Sequence, residues 1–317
     1  MREENFIEDV ISRFERSSQQ KNKPFTCDAE IVEISGKFWA VTVDEFSPQE
    51  DLFFDTDAYL LGQNLATATL SDLFACGAKP QFFLHSVVAG EKMESAFFDG
   101  LNDVLEQCGC FLLGGDTGGG EYFRYTAIAM GQIENEKIIS RVMPCDEQLL
   151  WITGSVGDAN LSAFSQKSMP QFELRIEESE FIAANAASCI DTSGGLIDAL
   201  WMLKKVNPDM RFEIDADMIP FDIKVKEFCK AAGLPPMAFA FGGAGEYELL
   251  FTTPYSVKPP FAATCIGRCC SDQESGIYIK TDDKSRRIKD APPCGREIKD
   301  KDAYVKKILE QVNDIIC

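Results

Sequence analysis

Five aspartates stand where apolar segments begin or end. Asp28 precedes a hairpin and Asp44 follows it. Asp72 lies in Leu70-Ser71-Asp72-Leu73, Asp116 in Gly114-Gly115-Asp116-Thr117, and Asp191 in Asp191-Thr192-Ser193-Gly194-Gly195-Leu196. Carboxylates gathered from distant parts of a chain repel one another unless a cation sits between them. Hard oxygen ligands of this kind suit Mg²⁺, and Mg²⁺ in enzymes accompanies phosphate chemistry. The expectation is a fold that brings these acids together.

The chain has 317 residues, room for two domains, and a formal net charge of −20. That charge disfavours nucleic acid and anionic membrane as partners, since both need a basic footprint. No apolar run reaches bilayer length, and the N-terminus lacks the basic-then-apolar pattern of a signal peptide. A cytoplasmic protein is expected. There are 12 cysteines and one histidine. Cys108-Gly109-Cys110 and Cys269-Cys270 lack zinc-site spacing, so reduced, buried thiols are expected. His85, without a second histidine, reads as structural.

The spacing predicts a helix over 5–16 with Phe6, Ile7, Val10, Ile11 and Phe14 on one face. Strand-like runs at 30–34 and 38–43 flank Ser35-Gly36-Lys37. A long helix follows over 57–76, then a strand at 81–88, a helix at 94–107, a short strand at 110–113 entering a glycine-rich turn, and a strand at 122–131. This order is an α+β pattern. A composition change at Met143-Pro144-Cys145-Asp146 divides the chain into 1–144 and 145–317. The second part opens with a strand at 149–153. Helices follow at 177–188 and 195–205, strand candidates at 212–214, 238–241, 248–252 and 262–267, and a helical tail from 300 to 317.

A hairpin turn centred on Gly36 places Asp28 and Asp44 opposite each other, with Cβ atoms about 4.5–5.5 Å apart, where like charges are destabilising. A bridging cation removes that cost. Asp72, on an apolar helix, needs a partner if it is ionised. Asp116 leads Thr117, Gly118, Gly119 and Gly120, whose amides could approach an anion, although the phosphate-loop signature is absent. Ser193 is placed to cap the helix that starts near Gly194 or Gly195, and a glycine-bearing helix N-terminus suits phosphate.

Together these motifs resemble thiamine-monophosphate kinase, within the aminoimidazole-ribonucleotide-synthetase-like (PurM-like) superfamily. The resemblance rests on residues 6–14, on Leu70-Ser-Asp-Leu-Phe-Ala-Cys-Gly-Ala78 and on Leu113-Gly-Gly-Asp-Thr117. It continues through Ile152-Thr-Gly154, Asp191-Thr-Ser193 and Gly245-Glu-Tyr-Glu-Leu-Leu-Phe-Thr252. It implies a two-domain α+β/α/β fold whose N-terminal sheet forms a barrel in a homodimer. It implies ATP with Mg²⁺, acting on a small phosphorylated metabolite, thiamine monophosphate in the kinase. By motif match, Asp28, Asp44, Asp72, Asp116 and Asp191 would hold metal, and Asp191 and Ser193 would serve catalysis. Gly114, Gly115, Asp116, Thr117, Gly118 and Gly119 would meet the nucleotide, and Glu246 and Tyr247 the substrate.

The chain departs from the kinase pattern. Cys27, Gly194 and Gly245 stand at acidic positions, Gly118–Gly120 replace a basic one, and Thr69 replaces an asparagine. An Arg-Pro-type segment is reduced to Met169-Pro170-Gln171-Phe172, with only Arg175 nearby. The alternatives are another ATP-using branch, suggested by the terminal Cys317, or a non-catalytic nucleotide-binding homologue.

Overall fold

The computed structural model describes residues 3–47, 57–89, 94–135, 137–144, 147–271, 273–282, 284–295, 297–298 and 300–316. Cys145, Asp146 and Cys317, which entered the boundary and tail readings, lie outside them. The first helix, α1 (Glu3–Ile11), is shorter than expected, and Phe6 and Phe14 remain exposed.

Ser35 and Gly36 both take left-handed backbone, with φ of 54° and 77°. That is the geometry of a two-residue hairpin turn. It joins β1 (Glu30–Ile34) to β2 (Lys37–Phe46), pairing Ile34 with Lys37 and Glu30 with Val41. The turn is therefore centred between Ser35 and Gly36, one half-step from the expected centre. Asp28 and Asp44 are not directly opposed, because a two-residue turn shifts the register by one residue.

β2 continues a mixed sheet with β3 (Lys79–Ala89), β4 (Phe111–Gly119) and β5 (Arg124–Ile133), in the order β1-β2-β5-β3-β4. β3 and β4 run parallel, and the other neighbours are antiparallel. The glycine-rich stretch is strand, not turn. After a register irregularity at Leu113, Gly114 to Gly119 pair residue by residue with Leu84 to Ala89, so this edge strand is held by one ladder.

Two helices, α2 (Ala58–Ala75) and α3 (Ser95–Cys108), cover one face of this sheet. Asp57 caps α2, accepting a 3.0 Å bond from the Leu60 amide. From Gly62 to Ala75 every α2 residue except Asp72 is buried. A helix apolar on all sides is a core helix, and α2 meets β2 and β5 on one side and elements of the second half on the other. The sheet's opposite face carries Trp39, Val41, Val43, Phe82, Leu84, Ile128 and Met130, by strand alternation and register. No helix of the described residues covers it. Val43 is 62% exposed and Phe111, on the edge strand, 69%.

The second half begins with β6 (Gln148–Thr153), α4 (Asp158–Ser165), α5 (Ile176–Asn185), β7 (Ser188–Asp191) and α6 (Leu196–Val206). β8 (Arg211–Asp215), α7 (Ile223–Ala232), α8 (Met237–Ala240) and β9 (Leu249–Thr253) follow. β10 (Ala263–Cys270), β11 (Gly276–Thr281), β12 (Lys284–Ile288) and α9 (Lys301–Ile316) complete it. The seven strands are ordered β12-β11-β8-β10-β6-β9-β7. Residues 238–241, expected as strand, belong to α8 and its C-cap, entered through Pro236; a four-residue apolar run does not distinguish the two states. Helices α4 and α7 and strands β11 and β12 have no counterpart in the sequence-based expectation. One core unites Leu70, Phe83 and Phe97 with Ile182, Cys189 and Phe251 of the second half.

Candidate metal centre

Three of the five aspartates converge where α2 passes between the sheets. A carboxylate oxygen from each of Asp28, Asp72 and Asp191 lies within 4.8 Å of the others. Asp28 comes from the segment before β1, Asp72 from the last turns of α2, and Asp191 from the end of β7. The Asp191 amide donates to Asp28 Oδ1 at 3.3 Å, and the Thr42 hydroxyl of β2 donates to Asp72. Asp44 shares the helix-facing side of β2 with Thr42 and adds its negative charge to the surroundings of Asp72.

Burial pushes the Asp72 carboxyl well above the usual carboxylate range, and the charges of Asp44, Asp191 and Asp28 push it further. Asp191 rises to about 7, from burial first and the Asp28 charge second; Ser71, Ser193 and Arg141 partly offset this. Asp28 Oδ2 and Asp191 Oδ2 are buried without a hydrogen-bond partner. Orphaned carboxylate oxygens in an acid-rich interior are costly unless a cation or proton reaches them. The donor set is hard oxygen throughout, so these residues fit a divalent cation such as Mg²⁺.

Sequence reasoning missed Arg141. Its Nη2 lies 2.8 Å from Asp28 Oδ1, with 13% and 1% of the two side chains exposed. Burial opposes its charge, but Asp28, Asp191 and Asp72 together raise its pKa above normal. The signal available was a lone arginine among apolar neighbours in the segment between the sheets.

Other predicted residues lie apart. Asp116 pairs with Ser86 on the uncovered face of the first sheet, in a shallow cavity with Leu84, Thr126 and Ile128. It does not join the cluster, because β4 extends as a strand and alternation turns residue 116 outward. Gly114, Gly115, Thr117, Gly118 and Gly119 share that edge strand. Ser193 is exposed and does not cap α6; Gly195 is the N-cap, and the Ser193 amide turns back to Asp191 Oδ1 at 3.3 Å. The space over Gly194 is taken by Asp198, whose Oδ2 lies 2.5 Å from where a β-carbon would be. That acid stands in the first turn of α6, where the helix dipole favours negative charge. Arg175 is committed to Glu248, with Nε 2.7 Å from Oε2, and to Glu178.

Glu246 turns inward. It accepts bonds from the Gly157 amide at 2.7 Å and the Ala159 amide at 3.2 Å, at the start of α4. Tyr247, in left-handed backbone at φ 55°, packs on Phe172 with ring centroids 4.6 Å apart. A β-carbon at Gly245 would lie 2.4 Å from the Ser193 carbonyl oxygen, so this backbone crossing admits only glycine. His85 is packed between Phe98 and Tyr125, as a structural histidine would be.

Residues 27–133 match the family model described as AIR synthase related protein, N-terminal domain. The chain is 27% identical over 305 residues to the thiamine-monophosphate kinase of Pyrococcus horikoshii, covering 91% of this chain and 94% of that one. A solved structure of AaThiL complexed with AMPPCP and TMP superposes with a TM-score of 0.73 at 21% identity, over 89% of this chain and 94% of that chain. The HypE-HypF complex structure gives 0.72 at 18% identity, over 90% and 99%. At those identities the structures establish the fold. The two-sheet fold is the one those structures share, and residues 27–133 are similar to the AIR-synthase-related N-terminal domain. Along some nine-tenths of its length the chain is similar to thiamine-monophosphate kinases, the resemblance that the motifs carry.

Proposed function

We propose that this chain is an ATP- and Mg²⁺-dependent phosphotransferase of the thiamine-monophosphate kinase type. It would move the γ-phosphoryl of ATP onto the phosphate of thiamine monophosphate. The observation that carries this reading is the convergent triad Asp28, Asp72 and Asp191, with two orphaned buried oxygens, in a chain similar to such a kinase along nine-tenths of its length. Phosphoryl transfer between two phosphates demands in-line placement and charge neutralisation, not a covalent nucleophile. Bound Mg²⁺ would supply that neutralisation.

The chain's own residues do the remaining work. Asp28, Asp72 and Asp191 would hold the ion, and Asp44 adds negative potential. Arg141 fixes Asp28 and lowers the net charge. Ser193, beside Asp191 and exposed, is available to a phosphate oxygen. Residues 1–144 and 145–317 are read as the two domains. The uncovered face of the first sheet is read as the seam of a homodimer, on which Asp116 and Gly114–Gly119 would lie; apolar faces of that extent mark interaction sites.

Purified protein with ATP, Mg²⁺ and thiamine monophosphate should release ADP and form thiamine diphosphate. Absence of both products under saturating substrates sinks the reading. The closed crossing at Gly245 and the commitment of Arg175 to Glu248 support one second reading, nucleotide binding without turnover. Calorimetric binding of Mg²⁺·ATP by an inactive protein would select it.

A further inference from the structure

The last helix of the chain reaches the loop that backs the carboxylate site. Tyr304, one turn into α9, accepts a 2.9 Å hydrogen bond at its hydroxyl from the Gly243 amide. Gly243 belongs to the segment 242–246, which lies against the 191–195 turn. The Glu246 amide donates to the Thr192 carbonyl at 3.2 Å, and Gly245 crosses the Ser193 carbonyl too closely for any side chain. A β-carbon on Gly195 would in turn lie 2.4 Å from the Gly242 carbonyl oxygen. Asp191 and Ser193 thus rest on a backbone platform rich in glycine. Apart from the Glu246 carboxylate, bound to the Gly157 and Ala159 amides, this platform has few side chains of its own to hold it.

Three further contacts hold it among the described residues. Asn160 of α4 brackets Ala244, accepting from its amide at 2.9 Å and donating to its carbonyl at 3.0 Å. Thr192 holds residues 246 and 248. Tyr304 holds Gly243, and is the only one of the three from the chain's last helix. Its ring is half-buried, and Asp198, which covers Gly194, lies close enough to act on it electrostatically.

We propose that Tyr304 is a positioning residue of the phosphotransfer site, which fixes the 242–246 platform under Ser193 and Asp191. It rests on the functional reading above, and touches neither metal nor substrate. Its hydroxyl acts through Gly243, and so ties the position of α9 to the geometry of the site.

The test is Tyr304→Phe, which keeps the ring and removes the hydroxyl. Amide exchange at residues 243–246 should accelerate roughly tenfold, as expected for loss of one anchoring hydrogen bond. Exchange in β6 and β9 should stay unchanged. In the same preparation kcat for ADP formation should fall several-fold, with KM for ATP within twofold of wild type. Exchange that is unchanged, or that accelerates equally in β6 and β9, overturns the proposal; so does faster local exchange with unaltered kcat. If the wild-type protein does not turn over, the functional reading fails by itself. Calorimetric affinity for Mg²⁺·ATP then replaces kcat: a several-fold loss in Tyr304→Phe supports the platform role, and an equal affinity rejects it.

Discussion

Arg141 Nη2 sits 2.8 Å from Asp28 Oδ1 in a buried pair that joins the segment between the two sheets to the segment before the first strand. The same arginine donates from its backbone amide to the Thr26 carbonyl, and its own carbonyl accepts from Asn207. Its Nη1 also donates to the Phe25 carbonyl at 3.3 Å, so four separate contacts place this internal counter-cation of an acid cluster.

Removing that charge should be severe. Arg141→Met leaves Asp28 buried without its partner, and breaking a buried pair in this way costs about 3–5 kcal/mol. Urea denaturation should show a loss of that size without metal. Millimolar Mg²⁺ should recover part of it, because a bound cation replaces some of the missing positive charge.

Asp72→Asn should have opposite effects on stability and binding. The Asp72 carboxyl is held well above its usual range by burial and by Asp44, Asp191 and Asp28. A neutral isostere relieves that repulsion, so the metal-free variant should unfold at higher urea than wild type. Its affinity for Mn²⁺, followed by calorimetry or electron paramagnetic resonance, should fall on the order of 100-fold, since a hard-ion site loses one of three anionic ligands.

Glu246 gives a pH signature. Burial is the main cause that lifts its carboxyl from 4.5 to about 8, although the Gly157 and Ala159 amides favour the ionised form. Its folded pKa is above its unfolded one, so its contribution to stability is fully present below about pH 4.5. That contribution is lost as pH rises toward 8. Glu246→Gln should be no more stable than wild type at about pH 5. At about pH 8.5 it should be more stable by at least about 1 kcal/mol, since a tenfold change in proton affinity on folding is worth about 1.4 kcal/mol. Paired urea titrations at the two pH values check the difference.

The uncovered sheet face makes a separate prediction. Val43 and Ile128 are paired across β2 and β5 at its centre. Val43→Lys with Ile128→Asp should turn a sedimenting dimer into monomer while leaving far-ultraviolet circular dichroism unchanged. Wild-type protein that sediments as a monomer at micromolar concentration would remove the seam from the functional reading.

Chemistry is more legible in this sequence than geometry. Asp28, Asp72 and Asp191 converge, because an acid at the margin of an apolar segment is forced toward a partner. The Asp28–Asp44 register differs by one residue from the expectation, since turn length depends on whether Ser35 adopts positive φ, a choice one residue type does not dictate. Asp116 lies away from its expected place because a glycine run is ambiguous until a neighbouring strand supplies hydrogen bonds. Arg141, Asn160 and Tyr304 carry no local motif. Their roles arise from contacts with residues 61 to 113 positions away, which periodicity cannot report. The long helix over 57–76 is readable because its apolar character exceeds what a surface helix needs.

That helix has one more consequence. Because α2 is walled by the first sheet on one side and by α5, β7 and β9 on the other, the first half does not own its whole interior, whereas the second keeps a separate core around Leu150, Phe212 and Leu250. Severing the chain near residue 144 would strip the helix of one wall and expose Leu70, Phe74 and their neighbours to water. The first half, expressed singly, would be a client for chaperones and proteases.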